Sequence, residues 1–410
     1  MGLIPSKMGR INKRALLGRL QHVGQASRAD LAKSLGLSQP TAGKIVDTLL
    51  RLGVLEEVDE VATASLLRAH AENGHGKVGR SGRILRLNRT HPRFLAIQLD
   101  VSETNFAALP VGVEPEDHWT FQAKTPPSAD AWVRQLKAVA GSIPPHDYWG
   151  VLVSVPGIVD EPRARVLFSP DLRWTEAVEL PALIHQVWQV PVELVQEERA
   201  LALGHQSVDA NGEDFLLVDF GERVGGAAIV CGRLYTSALP LSGELGHTRV
   251  LGNRRECGCG AIGCLETLAA KRGLIQSYAS GHHSVQPAWE SLREAVAAHG
   301  IPQWLARTLD AAGDVIAGAL NVTGLRRLIL TGILTELAPS AVEYLCKAIT
   351  RGAMWVRFGE LSIETAPRRR AAGLVAVGID RLALPMEKNS RMEEMPLPTP
   401  TPNWAFRRPA

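Results

Sequence analysis

Hydrophobic positions recur with helical spacing through the first fifty residues. From Ile11 to His22, Leu16, Leu17 and Leu20 share one face with the following Val23, which predicts a helix. A second helix is expected from Ser27, where Ser27-Arg28-Ala29-Asp30 resembles a capping box with Asp in the Glu position. Its apolar face is Leu31, Ala32 and Leu35, and Gly36 can supply the left-handed turn that ends it. A third helix starts at Ser38, with Pro40 in the first turn, where a missing N–H is harmless. Its buried stripe is Ala42, Ile45, Val46, Leu49 and Leu50, which leaves Gln39, Thr41, Lys44 and Thr48 facing out.

Past Gly53 the period changes. Val54–Val58 and Ile84–Leu87 read as two strands of a wing, separated by a long polar insert that ends in Gly79-Arg80-Ser81-Gly82-Arg83. From Arg93 onward, short apolar strands alternate with helices. Phe94–Leu99, Tyr148–Val155, Val192–Val195, Phe215–Val218, Ala227–Val230 and Leu328–Leu330 are expected strands. Leu292–Ala298, Trp304–Ala319 and Ser340–Ile349 are expected helices. Mixed β and βα units of this extent predict a two-lobed α/β body. Three regions follow: a head over 1–90, a body over 91–385, and a Pro-rich tail over 386–410 expected to be disordered.

Net charge is only +3, but its distribution is uneven. Residues 1–90 carry 15 Lys/Arg against 7 Asp/Glu, so the head is strongly basic while the rest is net acidic. That asymmetry points to a polyanionic partner for the head. Two helices joined by a glycine turn, the second polar at its N-terminal end, match helix-turn-helix geometry. Ser38, Gln39, Thr41, Lys44 and Thr48 are side chains that reach phosphates and base edges in a major groove. Arg80 and Arg83, set among glycines, can approach a minor groove or phosphates. A mobile basic linker and a protein-docking module are the competing readings. A double-stranded DNA operator is the expected partner, bound by a homodimer on a two-fold symmetric site or by a homotetramer. No run approaches the roughly 18 apolar residues of a membrane span, and no export signal is evident, so a cytoplasmic, membrane-independent protein is expected.

Three of the five cysteines fall within eight residues. Gly243-Glu244-Leu245-Gly246-His247 precedes Cys257-Gly258-Cys259-Gly260-Ala261-Ile262-Gly263-Cys264-Leu265-Glu266. His247, Cys257, Cys259 and Cys264 can close a tetrahedral site, and thiolate with imidazole suits zinc. A closed four-ligand site leaves no position for water, which makes the zinc structural. Free buried cysteines and a redox pair are the alternatives, the latter weakened because Cys-Gly-Cys is not Cys-x-x-Cys.

With this signature the chain resembles the ROK family, which groups sugar-responsive repressors with sugar kinases, over roughly residues 10–385. Looser agreement comes from Val155-Pro156-Gly157-Ile158-Val159-Asp160, Ser169-Pro170-Asp171-Leu172 and Ala372-Gly373-Leu374-Val375-Ala376. The resemblance implies an actin-like, sugar-kinase-like α/β fold of two lobes behind a winged helix-turn-helix. It also implies a sugar or sugar-phosphate effector between the lobes, held by Glu244, His247 and Glu266. The family's Asn-Asp pair becomes Gln196-Glu197, so these two complete the expected set. His247 would bind zinc through one ring nitrogen and face the sugar with the other.

The phosphate loops depart from the kinase pattern. Asp100-Val101-Ser102-Glu103-Thr104 has lost its glycines, and Glu103 is expected to bring negative charge near the phosphates. Gly221-Glu222-Arg223-Val224-Gly225-Gly226-Ala227, where the kinase pattern is nearly all glycine, brings another carboxylate, and Gly332-Ile333 replaces a Gly-Gly. The expectation is a regulator without enzymatic activity, most simply a repressor of carbohydrate uptake or catabolism. A divergent hexose kinase is the alternative. A scaffold for a protein partner is a third reading.

Overall fold

Residue capping sets the limits of the first helices. The structure is a computed structural model that describes residues 5–58, 83–113, 117–144, 146–209, 211–236, 241–281 and 288–384. Helix α1 (Pro5–Val23) buries Leu16, Leu17 and Leu20. Strand β1 (Gln25–Ser27) leads into α2 (Arg28–Ser34), whose start is fixed by Ser27. The Ser27 hydroxyl accepts from the Asp30 N–H at 3.2 Å and donates to the Asp30 carboxylate at 2.7 Å. Gly36 takes the left-handed conformation at φ 63°. Helix α3 (Gln39–Arg51) is capped by Ser38, which accepts the Thr41 N–H at 3.3 Å. Such caps are worth about 1 kcal/mol each.

Strands β2 (Leu55–Val58) and β3 (Ile84–Leu87) pair antiparallel, as the wing reading requires. The structure adds β1 on the other side of β3, with Gln25 opposite Arg86. Three polar or small residues have no alternation from which a strand could be read. The insert between β2 and β3, including Arg80, lies outside the described residues, as does the tail over 386–410.

The first lobe contains β4 (Phe94–Leu99), β5 (Glu103–Leu109), β6 (Phe121–Lys124), helix α4 (Ala129–Ala140) and β7 (Gly150–Val155). A ribbon of β8 (Ile158–Asp160) and β9 (Arg165–Phe168) follows, then α5 (Leu180–Ile184) and β10 (Val192–Gln196). Its sheet order is β6-β5-β4-β7-β10. Helix α6 (Glu197–Val208) leaves β10 with no intervening loop. The second lobe contains β11 (Phe215–Phe220), β12 (Val224–Val230) and β13 (Arg233–Leu234). It continues through α7 (Glu266–Ala269), α8 (Lys271–Gly281), α9 (Trp289–His299) and α10 (Gln303–Thr323). Then come β14 (Arg327–Gly332), α11 (Pro339–Gly352) and β15 (Ser362–Thr365), with sheet order β13-β12-β11-β14-β15.

The two sheets share one plan. Three antiparallel strands form a meander, and two parallel strands reached by helical crossovers extend its first member. The last helix, α12 (Arg370–Gly378), crosses α6 at close range. Two glycines allow the crossing: a Cβ at Gly204 would stand 1.9 Å from the Arg369 carbonyl oxygen, and one at Gly373 would stand 1.8 Å from that of Ala200.

One apolar cluster joins head to body. It runs from Leu16, Leu20 and Leu49 through Leu85 and Phe94 to Ala200, Leu374 and Val375. Helix α1 touches α6, and Arg14 pairs with Asp380 just beyond α12. The head is therefore packed on the helices that leave the cleft between the lobes.

Candidate functional site

The cysteine loop folds back on itself. Arg249 bridges Cys264 and Glu256 bridges Ile262 in short antiparallel contacts. Asn253 donates to the Cys264 carbonyl at 3.0 Å, and Arg255 to those of Thr267 and Gly273. This brings the ligand atoms of His247, Cys257, Cys259 and Cys264 within 4.8 Å of one another. Cys257 Sγ lies 3.5 Å from His247 Nδ1, and Cys259 Sγ lies 3.7 Å from Cys264 Sγ. An ion held tetrahedrally at about 2.3 Å from each sulfur spaces the sulfurs about 3.8 Å apart. The donor set therefore fits a metal ion in both chemistry and spacing. Burial pushes the Cys257 and Cys264 thiols above the usual range. A bound cation reverses that preference, because the ligands are thiolates.

The other ring nitrogen of His247 looks into a polar cleft. Nε2 lies 3.7 Å from Glu244 Oε2 and 3.4 Å from Arg223 Nη2. Gln196, at the end of β10, donates to Glu244 Oε1 at 3.1 Å across the lobes. Glu266, at the start of α7, lies 3.5 Å from Cys257 Sγ and 3.6 Å from Arg223 Nε. Thus Gln196, Glu244, His247 and Glu266 converge, with the cysteine loop as their support. Burial pushes the Glu244 carboxyl above the ordinary carboxylate range.

Glu197 does not join them. Its carboxylate forms an ion pair with Arg370 and accepts from Gln98 Nε2 at 3.3 Å. The next residue, Glu198, is fully buried, and one oxygen packs where a side chain at Gly225 would collide. Burial and the neighbouring Glu244 carboxylate push it up to about 8. Two side-chain atoms around the cleft, Gln196 Oε1 and Glu198 Oε2, are buried without a hydrogen-bond partner, and Glu266 Oε2 has only the Arg223 guanidinium, 3.6 Å away. A buried polar atom without a partner costs on the order of 1–3 kcal/mol, so this arrangement favours a ligand that supplies donors.

Sequence reasoning missed two residues of the cleft. Arg223 closes the β11–β12 turn, and Asp171 follows β9; Arg223 Nη1 donates to Asp171 Oδ2 at 3.0 Å. Their only signal was a charge in each case where the family pattern has Gly or Asn.

Beside the cleft, toward α12, lies a second cavity of about 480 Å³. Its charged walls include Asp100, Asp117, Glu222, Lys271, Arg368 and Arg370. Each of these three cations has a carboxylate partner: Lys271 with Glu222 at 3.0 Å, Arg368 with Asp219 at 2.7 Å, Arg370 with Glu197. Burial and the Glu197 charge raise Asp100 to about 6. Glu103, expected near this cavity, is exposed at the start of β5 and stands opposite Lys124. Ser102, just before it, lines the cavity, so the acidic intruder is Glu222.

On the head, Ser38, Gln39, Thr41 and Lys44 are exposed, and Thr48 is half-buried. The Thr41 hydroxyl bonds that of Ser38 at 2.8 Å, and Thr48 donates to the Lys44 carbonyl at 2.8 Å. Gln39 and Lys44 present the long polar side chains of this face. Arg83 is largely exposed but pairs with Glu57 across the wing.

The family-wide sequence model of the ROK family matches residues 130–376. The chain belongs to the ROK family. At 25% identity over 283 residues, it resembles the xylose repressor of Caldicellulosiruptor bescii, the match spanning 65% of each chain and so less than two thirds of that relative. It is 24% identical over 351 residues to the DNA-binding transcriptional dual regulator NagC of Escherichia coli, covering 80% of this chain and 81% of that one. Among solved structures, a ROK family transcriptional regulator described as a homologue of the E. coli MLC protein superposes with a TM-score of 0.68 at 20% identity. It covers 92% of this chain and 98% of that one, so the shared fold includes most of the head. A ROK family glucokinase from Streptomyces griseus, in complex with glucose and AMPPNP, superposes with a TM-score of 0.57 at 22% identity and covers 69% of this chain and 97% of that one. The actin-like, two-lobed reading of the ROK body is thus established as fold. Among the described residues no helix is long and apolar enough to cross a membrane.

Proposed function

We propose that this ROK chain is a sugar-responsive DNA-binding regulator, acting as a repressor of carbohydrate uptake or catabolism genes. The head over 1–90 is read as a winged helix-turn-helix, with α3 as the recognition helix and Gln39 and Lys44 as its leading contacts. Ser38 and Thr41 order the start of that helix, and Arg83 contacts DNA only by leaving Glu57. The body over 91–385 is read as the effector-binding part of a homodimer. Named ROK repressors among the relatives support this reading.

The observation that carries it is the shared core between head and cleft. Gln196 and Glu197 stand at the β10–α6 junction, and α6 packs both on α12 and on α1. A ligand held by Gln196, Glu244, His247 and Glu266 draws the lobes together at the N-terminal end of α6. Any tilt of α6 or α12 is passed to α1 through Ala200 and Leu374. DNA affinity then changes by the ligand's differential affinity for the two arrangements.

Zinc is the metal that best suits one imidazole and three thiolates. When bound, it supplies a rigid structural anchor. His247 keeps its Nδ1 toward the cysteines, so Nε2 is left as a fixed contact in the cleft. Phosphate transfer is not proposed. Arg368, Arg370 and Lys271 are neutralised by carboxylates of the chain itself, and Glu197, the counterpart of the family's Asp, is engaged with Arg370.

Selection of duplex DNA from a random pool by the full-length protein tests the head. A coupled ATP assay with D-xylose, D-glucose and N-acetylglucosamine tests the body. Enrichment of a two-fold symmetric sequence without sugar-dependent ATP turnover is the expected outcome; turnover without DNA selection would overturn it.

A further inference from the structure

Arg223 brings a cation into the polar cleft, against His247 and Glu266. Its side chain is only 9% exposed. Nη1 donates to Asp171 at 3.0 Å, Nη2 faces His247 Nε2 at 3.4 Å, and Nε stands 3.6 Å from Glu266. His247 and Glu266 are residues read above as effector contacts. The guanidinium therefore offers N–H groups where a ligand's hydroxyl groups would be needed.

The pair also spans the two lobes. Asp171 comes from the first lobe, after β9, and Arg223 from the second, at the β11–β12 turn. Arginine–carboxylate bonds are charge-assisted and directional, and their strength rises as water is excluded. The cleft is held together by its own side chain before any ligand arrives.

The remaining groups restrict what can replace Arg223. Gln196 Oε1 is an orphaned acceptor, Glu266 Oε2 has only the Arg223 guanidinium as a partner, and Glu244 adds a further carboxylate. A phosphate or carboxylate on the ligand would bring more acceptors and more negative charge. A polyol without charge brings donors.

We infer that Arg223 is a tethered competitor in the effector site: an uncharged polyol binds by displacing it from Asp171 and Glu266, and sugar phosphates and sugar acids are rejected. This rests on reading the cleft as the effector site. Arg223 then sets both the charge class of the effector and the concentration at which the cleft responds. Its removal lowers the barrier to the ligand, where loss of an ordinary ligand contact would raise it.

The test compares the full-length protein with R223Q, and with D171N as a second way to break the pair. Calorimetric titration uses D-xylose, D-glucose, D-glucuronate and glucose 6-phosphate. R223Q is expected to bind an uncharged sugar about tenfold more tightly, the scale of one modest ion pair, with no gain for the two anions. Weaker binding by R223Q, or a preference of the unmodified protein for an anion, would overturn the proposal. Hydrogen exchange without sugar provides an independent reading. Faster exchange around residues 169–173 and 244–247 in both variants supports the interlobe pair, and unchanged exchange overturns it. If exchange rises but no sugar binds either protein, the pair stands as an interlobe latch, while the effector reading and the displacement built on it both fall.

Discussion

The polar cleft and the adjoining cavity hold similar residues in different states. In the cavity, Lys271, Arg368 and Arg370 each meet a carboxylate of the chain. In the cleft, Gln196 Oε1 and Glu198 Oε2 are buried with no hydrogen-bond partner, beside a His whose far nitrogen faces three cysteines. Unpaired buried polar atoms are costly, whereas paired ones are not. The cavity's three cations are thus neutralised within the chain, although Asn105 Oδ1 and Glu197 Oε2 beside them also lack a hydrogen-bond partner.

The largest expected effect separates the two regions by their support. On the reading of His247, Cys257, Cys259 and Cys264 as a zinc site, Cys259→Ser removes a ligand and should cost about 3 kcal/mol or more. That corresponds to a fall of roughly 6–12 °C in thermal midpoint, read by calorimetry, and chelation of the unmodified protein should produce a similar loss. Arg370→Met, in the cavity, should leave chelator sensitivity unchanged. A Cys259→Ser protein as stable as its parent would remove the metal loop from the account.

Next in size is the helix crossing that links cleft to head. Gly373→Val places atoms against the Ala200 carbonyl oxygen. A cost on the order of 3 kcal/mol is expected from such overpacking, with faster hydrogen exchange in both α6 and α1. Exchange confined to α12 would show that head and body are not coupled there.

A smaller effect concerns Glu198. Its carboxyl is raised to about 8, chiefly by burial, then by Glu244. Below the unfolded value, near pH 4.5, it is protonated in both states and has no pH-dependent effect. Between pH 4.5 and about 8 the unfolded chain releases a proton that the folded chain keeps, so stability falls as pH rises. Glu198→Gln should therefore unfold at a higher temperature than its parent at pH 8, with the advantage shrinking toward pH 5. The reverse trend would mean that Glu198 is stabilised as a carboxylate.

The smallest effect lies on the head. Lys44→Ala should weaken DNA binding and reduce the slope of log affinity against log salt by about 1, with metal content unchanged. An unchanged slope would take Lys44 out of phosphate contact.

How legible all this is from sequence follows from burial. Phe94–Leu99 is a mostly apolar run buried on both faces, and the long α10 shows its period over six turns, so each is readable. Strand β5 carries Thr104 and Asn105 into the interior, where they bond Thr125 and Gln98, and its polarity hides it. Helix α6 opens with Glu197-Glu198-Arg199, which looks like a solvated charge run, yet all three are buried. Arg368–Arg370 mislead in the same way. The metal set is legible because its ligands are nearly contiguous. The Arg223–Asp171 pair is not, because its members lie 52 residues apart, on different lobes, and meet only in the folded chain.

The central claim is that a ligand in the cleft changes what the head does. Its most direct test is a gel-shift titration on the selected DNA, with and without a saturating uncharged sugar, for the unmodified protein and Glu266→Gln. The account predicts a change in DNA affinity of about fivefold or more in the unmodified protein. It also predicts little change in Glu266→Gln, whose ligand-free DNA affinity should match that of its parent. Identical DNA affinity in the presence and absence of a sugar that demonstrably binds would contradict it.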